Sequence, residues 1–428
     1  MKKALVLSGG GAKGSYQVGV YQALKELKIK IDIITGTSIG SINGAIFTEK
    51  RFLKAKKMWL NLTTKDLFGI DLNDKSKENY KNILKEAIDN KGLSFDTAKK
   101  YLETIIDEAK IRNSNIDYGL VTYSYKNKRP LMLTKESIPR GKMLDYIIAS
   151  SSCFPFVTKK QIDDDILIDG GYYDNLPINL AIEMGADEVI AVDLSAIGFR
   201  KEHNNKKVKI ETIKCKDNKT FILDFDKDIA KYNMAMGYQD TMKHYKALDG
   251  NIYTFKKNNL SKNYNTIKKY YISILKSTLL FSENRIKKEL IKVSKYNDIF
   301  KNIKQDKSIE NIINESLEYL GEILDIDKSK IYDVNKYNKE LIKHVKELSY
   351  LKVNKKLKGK MLVGYMYNKY VNTTNYDLLL TEMFNMALVF PKEFLATVYL
   401  ISISEKFSLT LKNEDYYEKV LKTFKGND

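Results

Sequence analysis

The chain has 428 residues, 43% of them hydrophobic, with 73 Lys and Arg against 54 Asp and Glu and a net charge of +19. This length suggests two domains, and the apolar content supports sizeable cores and excludes a disordered chain. Two cysteines, Cys153 and Cys215, exclude a disulfide scaffold and point to a reducing, cytoplasmic setting, while three histidines leave little material for a His/Cys metal cluster.

The positive charge points to a polyanionic partner, or else to a lysine-rich bias spread over solvated faces. The start, Met1-Lys2-Lys3 and then Ala4 to Leu7, begins like a secretory leader, but its apolar run stops at Ser8, too short for one. No apolar run reaches the roughly 18 residues of a membrane span. The nearest, 378–403, is broken by Glu382, Pro391, Lys392 and Glu393 and reads as buried helices.

In chain order, residues 3–8 read as a strand and Gly9-Gly10-Gly11-Ala12-Lys13-Gly14 as a glycine-rich loop. Residues 15–27 read as a helix, with Tyr16, Val20, Leu24 and Leu27 on one face. Residues 31–35 are a second strand, so the unit is βαβ and the sheet is expected to be parallel. Gly36-Thr37-Ser38-Ile39-Gly40 follows, and residues 41–47 can start a helix. Strand, sharp turn and helix is the context in which the serine of G-x-S-x-G becomes a nucleophile, with the flanking Gly36 and Gly40 letting the chain pass. Alone, the motif also fits a glycine-rich turn with a capping serine.

Residues 50–110 read as mostly helical, 116–125 and 129–134 as paired strands, and 142–150 as a helix. The loop after it, 150–156, could be acyl-chain lining or ordinary core, with core packing the expectation for Phe154 and Phe156. Residues 166–168 are a strand ending at Asp169-Gly170-Gly171. Asn175 can cap a helix that starts near Pro177 and stops at Gly185, and 188–194 is a further strand. Strands and helices alternate to about Phe255, giving an α/β domain over 1–255. A polar, lysine-rich stretch at 256–265 marks the boundary to a mostly helical second domain, 256–428, in which Ile313, Leu317, Leu320 and Leu324 share one face, as do Leu341, Val345 and Leu348.

Three elements suit acyl transfer. Ser38 would attack an ester carbonyl, backbone amides of the glycine-rich loop would face the developing oxyanion, and Asp169 would take the serine proton. Gly170 and Gly171 would then turn the chain away at once. In this order and near these spacings, Gly-Gly-Gly-Ala-Lys-Gly, Gly-Thr-Ser-Ile-Gly and Asp-Gly-Gly resemble the patatin-like phospholipases over roughly the first 255 residues, and the tract from Asp169 through Asn175 to Asn179 is similar too. The resemblance implies a patatin-like parallel-sheet α/β sandwich with a nucleophile elbow (Gly36, Gly40). It implies a Ser38–Asp169 dyad, an oxyanion hole over Gly9, Gly10, Gly11, Ala12, Lys13 and Gly14 with the amides of Gly10 and Gly11 as donors, and lipid acyl esters as substrates. Lys13 stands where the family often has arginine.

Rival readings draw on the same residues. Gly9-x-Gly11-x-x-Gly14 is also a dinucleotide fingerprint, but the second strand ends in Thr35-Gly36 rather than in an acidic residue. A Ser-His-Asp esterase would need His203, His244 or His344, all in polar or helical contexts. Asp163, Asp164 and Asp165 raise a metal site that no second cluster completes. A catalytically idle lipid-binding or scaffold protein would need neither Ser38 nor Asp169. The expectation is therefore a hydrolase without metal or cofactor. Its partners would be a lipid or lysolipid and, at the periphery, an anionic membrane, with no nucleic acid and with homo-oligomers left open.

Overall fold

Ala4, Leu5, Val6 and Leu7 are wholly buried in the computed structural model of the chain, which describes residues 1–70, 74, 76–90, 92–94, 96–203, 207–216, 220–285, 306–348 and 357–407. A strand apolar on both faces belongs in the middle of a covered sheet. Accordingly β1 (Lys3–Leu7) lies between β2 (Ile33–Thr37) and β7 (Glu188–Asp193). The other strands are β3 (Asp117–Ser124), β4 (Arg129–Thr134), β5 (Lys160–Ile162), β6 (Asp165–Asp169) and β8 (Lys209–Lys214). The order is β5-β6-β3-β2-β1-β7-β8, with β4 also on β3.

The run from β3 through β2, β1 and β7 to β8 is parallel. β4 and β6 pair antiparallel with β3, and β5 with β6. The sheet is thus mixed rather than wholly parallel. β6 follows a two-residue hairpin, Asp163-Asp164, and a hairpin can only join antiparallel neighbours. β8, Lys-Ile-Glu-Thr-Ile-Lys, was not expected as a strand because its charged alternate residues are those of a half-exposed edge.

Helices α1 (Ser15–Glu26) to α3 (Phe52–Asn61) follow the first two strands. Then come α4 (Thr64–Phe68), α5 (Lys77–Asp89), α6 (Asp96–Glu103), α7 (Glu108–Arg112), α8 (Met143–Ser150), α9 (Ile178–Glu183) and α10 (Lys227–His244). All of α2 (Ile39–Thr48) is buried, as its all-round apolar sequence requires. α1 is buried on more than the expected face because α10 packs along it. At Gly19 a Cβ would stand 1.9 Å from Met234 O, and at Gly237 one would stand 2.0 Å from Tyr16 O. These two glycines let the helix backbones touch.

The chain forms two compact units, Met1–Tyr245 and Lys246–Asp428. In the second, β9 (Thr254–Phe255) pairs parallel with β10 (Ile331–Tyr332), and Tyr253 and Phe255 lie in that unit's aromatic core with Tyr332 and Tyr337. Its helices are α11 (Asn259–Arg285), α12 (Asp306–Ile323), α13 (Val334–Leu348), α14 (Lys360–Asn372), α15 (Tyr376–Val389) and α16 (Pro391–Phe407). Ile313, Leu317, Leu320, Leu341 and Val345 are wholly buried, as the helical spacing predicts. The apolar run over 378–403 breaks at Pro391 into α15 and α16, and no described helix is long and apolar enough to cross a membrane.

Gly237→Ala should lower stability by about 1–3 kcal/mol, the usual penalty of overpacking. Its Cβ would meet a backbone oxygen that cannot swing aside. Urea denaturation measures this, and an unchanged midpoint would mean that the α1–α10 contact is looser than described.

Candidate active site

Ser38 joins β2 to α2 with φ 56° and ψ −130°, a left-handed conformation that side chains rarely adopt. Its surroundings hold it there. The Ser38 N–H donates to Ser150 Oγ at 3.0 Å, and Ser150 Oγ donates to Val121 O at 2.7 Å. Ser38 O accepts from Ser41 N at 2.8 Å and Ser41 Oγ at 2.7 Å. A Cβ at Gly36 would lie 2.3 Å from Gly40 O, and one at Gly40 would lie 2.2 Å from Leu7 O. Both glycines are therefore required by close packing around the turn, while the unusual φ is borne by the serine itself.

Asp169 ends β6 and is 4% exposed. It reaches Ser38 through register. Thr37 pairs with Val121 of β3, and the next β3 residue, Thr122, pairs with Asp169 across the antiparallel side. β6 runs antiparallel to β3 and stops at the level of Ser38. The Asp169 carboxylate accepts a hydrogen bond from Gly171 N at 2.7 Å, and the Ser38 hydroxyl stands beside it in the cavity wall. Burial pushes its pKa up to about 6, against the lowering effect of these two neighbours. Gly170 packs on Val121 O, where a Cβ would stand at 2.2 Å.

The glycine-rich loop divides by what its amides do. Gly9 N donates to Asn175 O, Ala12 N to Ile222 O and Lys13 N to Gly10 O, so these three donors are committed to the fold. Gly14 wedges between Ile39 and Trp59. The amides of Gly10 and Gly11 have no acceptor among the described residues, and both residues border the same cavity as Ser38. Gly11 has φ 55°, and a Cβ there would meet Ile222 O at 2.1 Å.

That cavity, of 450 Å³, is the size of a small-molecule site. Ser38 and Asp169 stand in its wall, and Ile42, Met58, Leu62, Leu67, Leu102 and Phe225 make its lining largely apolar. Phe156 also lines it, and neither Phe156 nor Phe154 joins a buried core cluster, so their expected core role is corrected. The reason is the backbone: Phe156 O accepts from Leu93 N, which holds that loop beside the opening rather than under the sheet.

Two residues at the site were missed in the sequence. Ser150 had a signal, the run Ser150-Ser151-Ser152 after a helix, but nothing local tied it to Ser38. Asn175 does not cap α9, whose N-cap Pro177 has no side-chain cap bond. It is 3% exposed, borders the cavity, and its Nδ2 has no partner among the described residues. None of the three histidines borders the cavity. His203 is exposed, His244 faces Glu211 at 3.5 Å, and His344 bonds to Glu340 O. Asp163 turns the hairpin with φ 51° and pairs with Lys142 at 3.4 Å, while Asp165 accepts from Ser124 Oγ.

Comparison with known proteins bears on the first unit. Patatin-like phospholipase domain-containing protein 7 of Rattus norvegicus is 32% identical over 200 residues, which is 45% of this chain and 14% of that protein. Lysophospholipase nte1 of Aspergillus terreus is 31% identical over 201 residues, 45% of this chain and 12% of that protein. The chain thus spans less than a sixth of either relative's length. The crystal structure of VipD from Legionella pneumophila covers 95% of this chain and 92% of that chain at 14% identity, with a TM-score of 0.31, too loose a likeness to argue from. The family model described as Patatin-like phospholipase matches residues 5–182. Those residues, which hold the glycine-rich loop, Ser38 and Asp169, are thus similar to a patatin-like phospholipase domain.

Proposed function

We propose that the chain is a serine hydrolase of lipid acyl esters, of phospholipase A or lysophospholipase type. One observation carries this reading: a strained serine at a helix N-terminus beside a buried carboxylate in the wall of an apolar cavity. In the proposed reaction Ser38 Oγ attacks the ester carbonyl and its proton passes to Asp169. The carbonyl oxygen becomes an oxyanion facing the free amides of Gly10 and Gly11. Collapse expels the alcohol, which takes the proton from Asp169. Water, giving its proton to Asp169, then attacks the acyl-Ser38 ester; collapse frees the acid and expels Ser38 Oγ, which takes the proton back from Asp169. Each proton has a place to go, so no cofactor is needed. A carboxylate with a pKa of about 6 is a better base than an ordinary one and is still ionised at neutral pH. The names of the relatives point the same way. Cys153 and Cys215, neither of them in a disulfide, fit a reducing, cytoplasmic setting, with action at a membrane surface.

Ser38→Ala and Asp169→Asn should each lower hydrolysis of phospholipid or lysophospholipid by roughly 10³-fold or more, and the double variant should be little worse, because the pair acts as a unit. Lipid mass spectrometry reads this. Near-full activity in Asp169→Asn, or collapse in a folded His203→Ala, His244→Ala or His344→Ala variant, would refute the dyad.

The raised pKa predicts a pH profile. kcat/KM should fall about tenfold per unit below pH ~6, as the base becomes protonated. Stability follows with its own sign. A carboxyl whose folded pKa is raised stabilises the fold at low pH and loses that contribution as pH rises through about 6. Asp169→Asn should therefore gain stability over the parent at pH 8 relative to pH 4, by up to about 3 kcal/mol. Asp174, also buried and pushed up to about 6, titrates in both proteins and cancels in the comparison. Denaturation midpoints at the two pH values decide it, and equal differences would refute the buried, raised carboxyl.

A further inference from the structure

The loop after β7 carries two side chains that its own backbone cannot hide. The Ser195 N–H donates to Asp193 Oδ1 at 2.7 Å and Ser195 Oγ donates to Cys215 O at 2.8 Å. Arg200 grips both oxygens of Asp193, at 2.8 and 2.6 Å. Phe199 N donates to Gly171 O at 2.9 Å, and Asn175 N donates to Phe199 O at 2.6 Å, tying the loop to the turn that follows Asp169. Gly198 lies so close that a Cβ would stand 2.7 Å from Asn175 Cβ. On this fixed backbone Ile197 is fully exposed and Phe199 is 67% exposed. Hiding such side chains ordinarily stabilises a fold, and here that gain is forgone.

Both stand at the rim of the cavity that holds Ser38, so the apolar surface outside is continuous with the apolar lining inside. On the same rim Tyr172 is 40% exposed and its hydroxyl donates to Phe154 O. Phe154 meets Tyr125 edge-on at 6.1 Å. Lys159 Nζ sits 3.5 Å from the Tyr125 ring centroid and 4.3 Å from that of Phe154, and Lys201 Nζ sits 4.4 Å from that of Tyr173. Neither lysine makes an ion pair among the described residues. Exposed apolar tips, half-buried aromatics and lysines held over rings are the chemistry of a lipid–water interface.

We propose that this rim docks on an anionic lipid surface, with Ile197 and Phe199 entering the hydrocarbon margin and Lys159 and Lys201 meeting the head groups. An acyl chain then passes from the leaflet into the cavity without crossing water. A protein partner seated on the same rim would instead close the cavity mouth. The proposal rests on the acyl-hydrolase reading for the purpose of the cavity.

The test uses the full chain carrying Phe199→Trp. The sequence has one other tryptophan, Trp59, which is buried and bonded to Asn43, so its emission is a constant background. Vesicles of phosphatidylglycerol and phosphatidylcholine with brominated acyl chains should quench and blue-shift the new emission. Salt at about 0.5 M should release the protein, because screening then acts within a few ångströms. The double variant Ile197→Asp, Phe199→Asp, with unchanged circular dichroism, should lower the vesicle-bound fraction about tenfold. Sedimentation with vesicles but no quenching of the introduced tryptophan would overturn the proposal, as would equal binding by the double variant, or no binding at all. Hydrolysis of a monomeric short-chain ester, compared with Ser38→Ala, reports separately on the enzyme. Hydrolysis without quenching sinks the docking surface alone, and quenching without hydrolysis supports the surface and sinks the hydrolase reading.

Discussion

A single residue in an unfavourable backbone conformation sets the terms for much of the first unit. Ser38 sits at φ 56°, which for a residue with a side chain costs on the order of 1–3 kcal/mol. Such strain survives only where the surroundings over-determine it. Here Gly36 must pass against Gly40, and Gly40 against the end of β1. Ser150 bridges the Ser38 amide to the β3 backbone, and the buried α2 fixes the exit direction. Any of these could be ordinary packing. Together they leave the Ser38 side chain one place to go, the cavity wall beside Asp169.

Asp169 pulls against the same fold from the electrostatic side. Its carboxylate is buried, and among the described residues the neighbours that favour its ionised form, Ser38 and Gly171, are uncharged. A cation close by would stabilise the ionised form and return the pKa to the ordinary range or below it. With none in contact, the carboxylate is a destabilised ion and a correspondingly stronger base. Cys153, whose thiol burial and the Asp169 charge push up to about 12, stays a neutral neighbour and does not offset that charge.

Features that force a residue type on the backbone were legible in the sequence. Gly9 to Gly14, Gly36 to Gly40 and Asp169 to Gly171 are places where a Cβ would strike backbone or where a turn must be tight, and such demands mark the sequence directly. The βαβ start and the helical faces of the second unit were legible for a similar reason, since periodic burial writes periodic apolarity. What stayed hidden depends on distant partners. Ser150 matters only because β3 and β2 bring it under Ser38. β6 runs antiparallel because of a hairpin whose two aspartates read equally well as a solvated loop. β5 and β8 are short or charged. Tyr253 and Phe255 belong with Tyr332 and Tyr337, a pairing no local window contains.

Several local irregularities of the first unit meet at one place. Among the described residues, a strained serine, two amides without acceptors, a buried carboxylate, an asparagine nitrogen without a partner and two apolar side chains held out in solvent all border one cavity. A fold selected for stability alone would remove them one by one, since each has a simple repair: a glycine at position 38, a side-chain acceptor for the amides, an amide in place of the acid, a polar residue at the rim. Their concentration is what a reaction site requires. In the proposed reaction the oxyanion donors must be empty before the oxyanion exists, because a donor already satisfied has nothing to offer the transition state. The proposed base must prefer its proton more than a solvated carboxylate does. The rim, on the proposed docking, must be apolar before the lipid arrives, because an acyl chain enters only where the path is dry. Each feature is a fault in the resting protein and a fit to something that is absent from it.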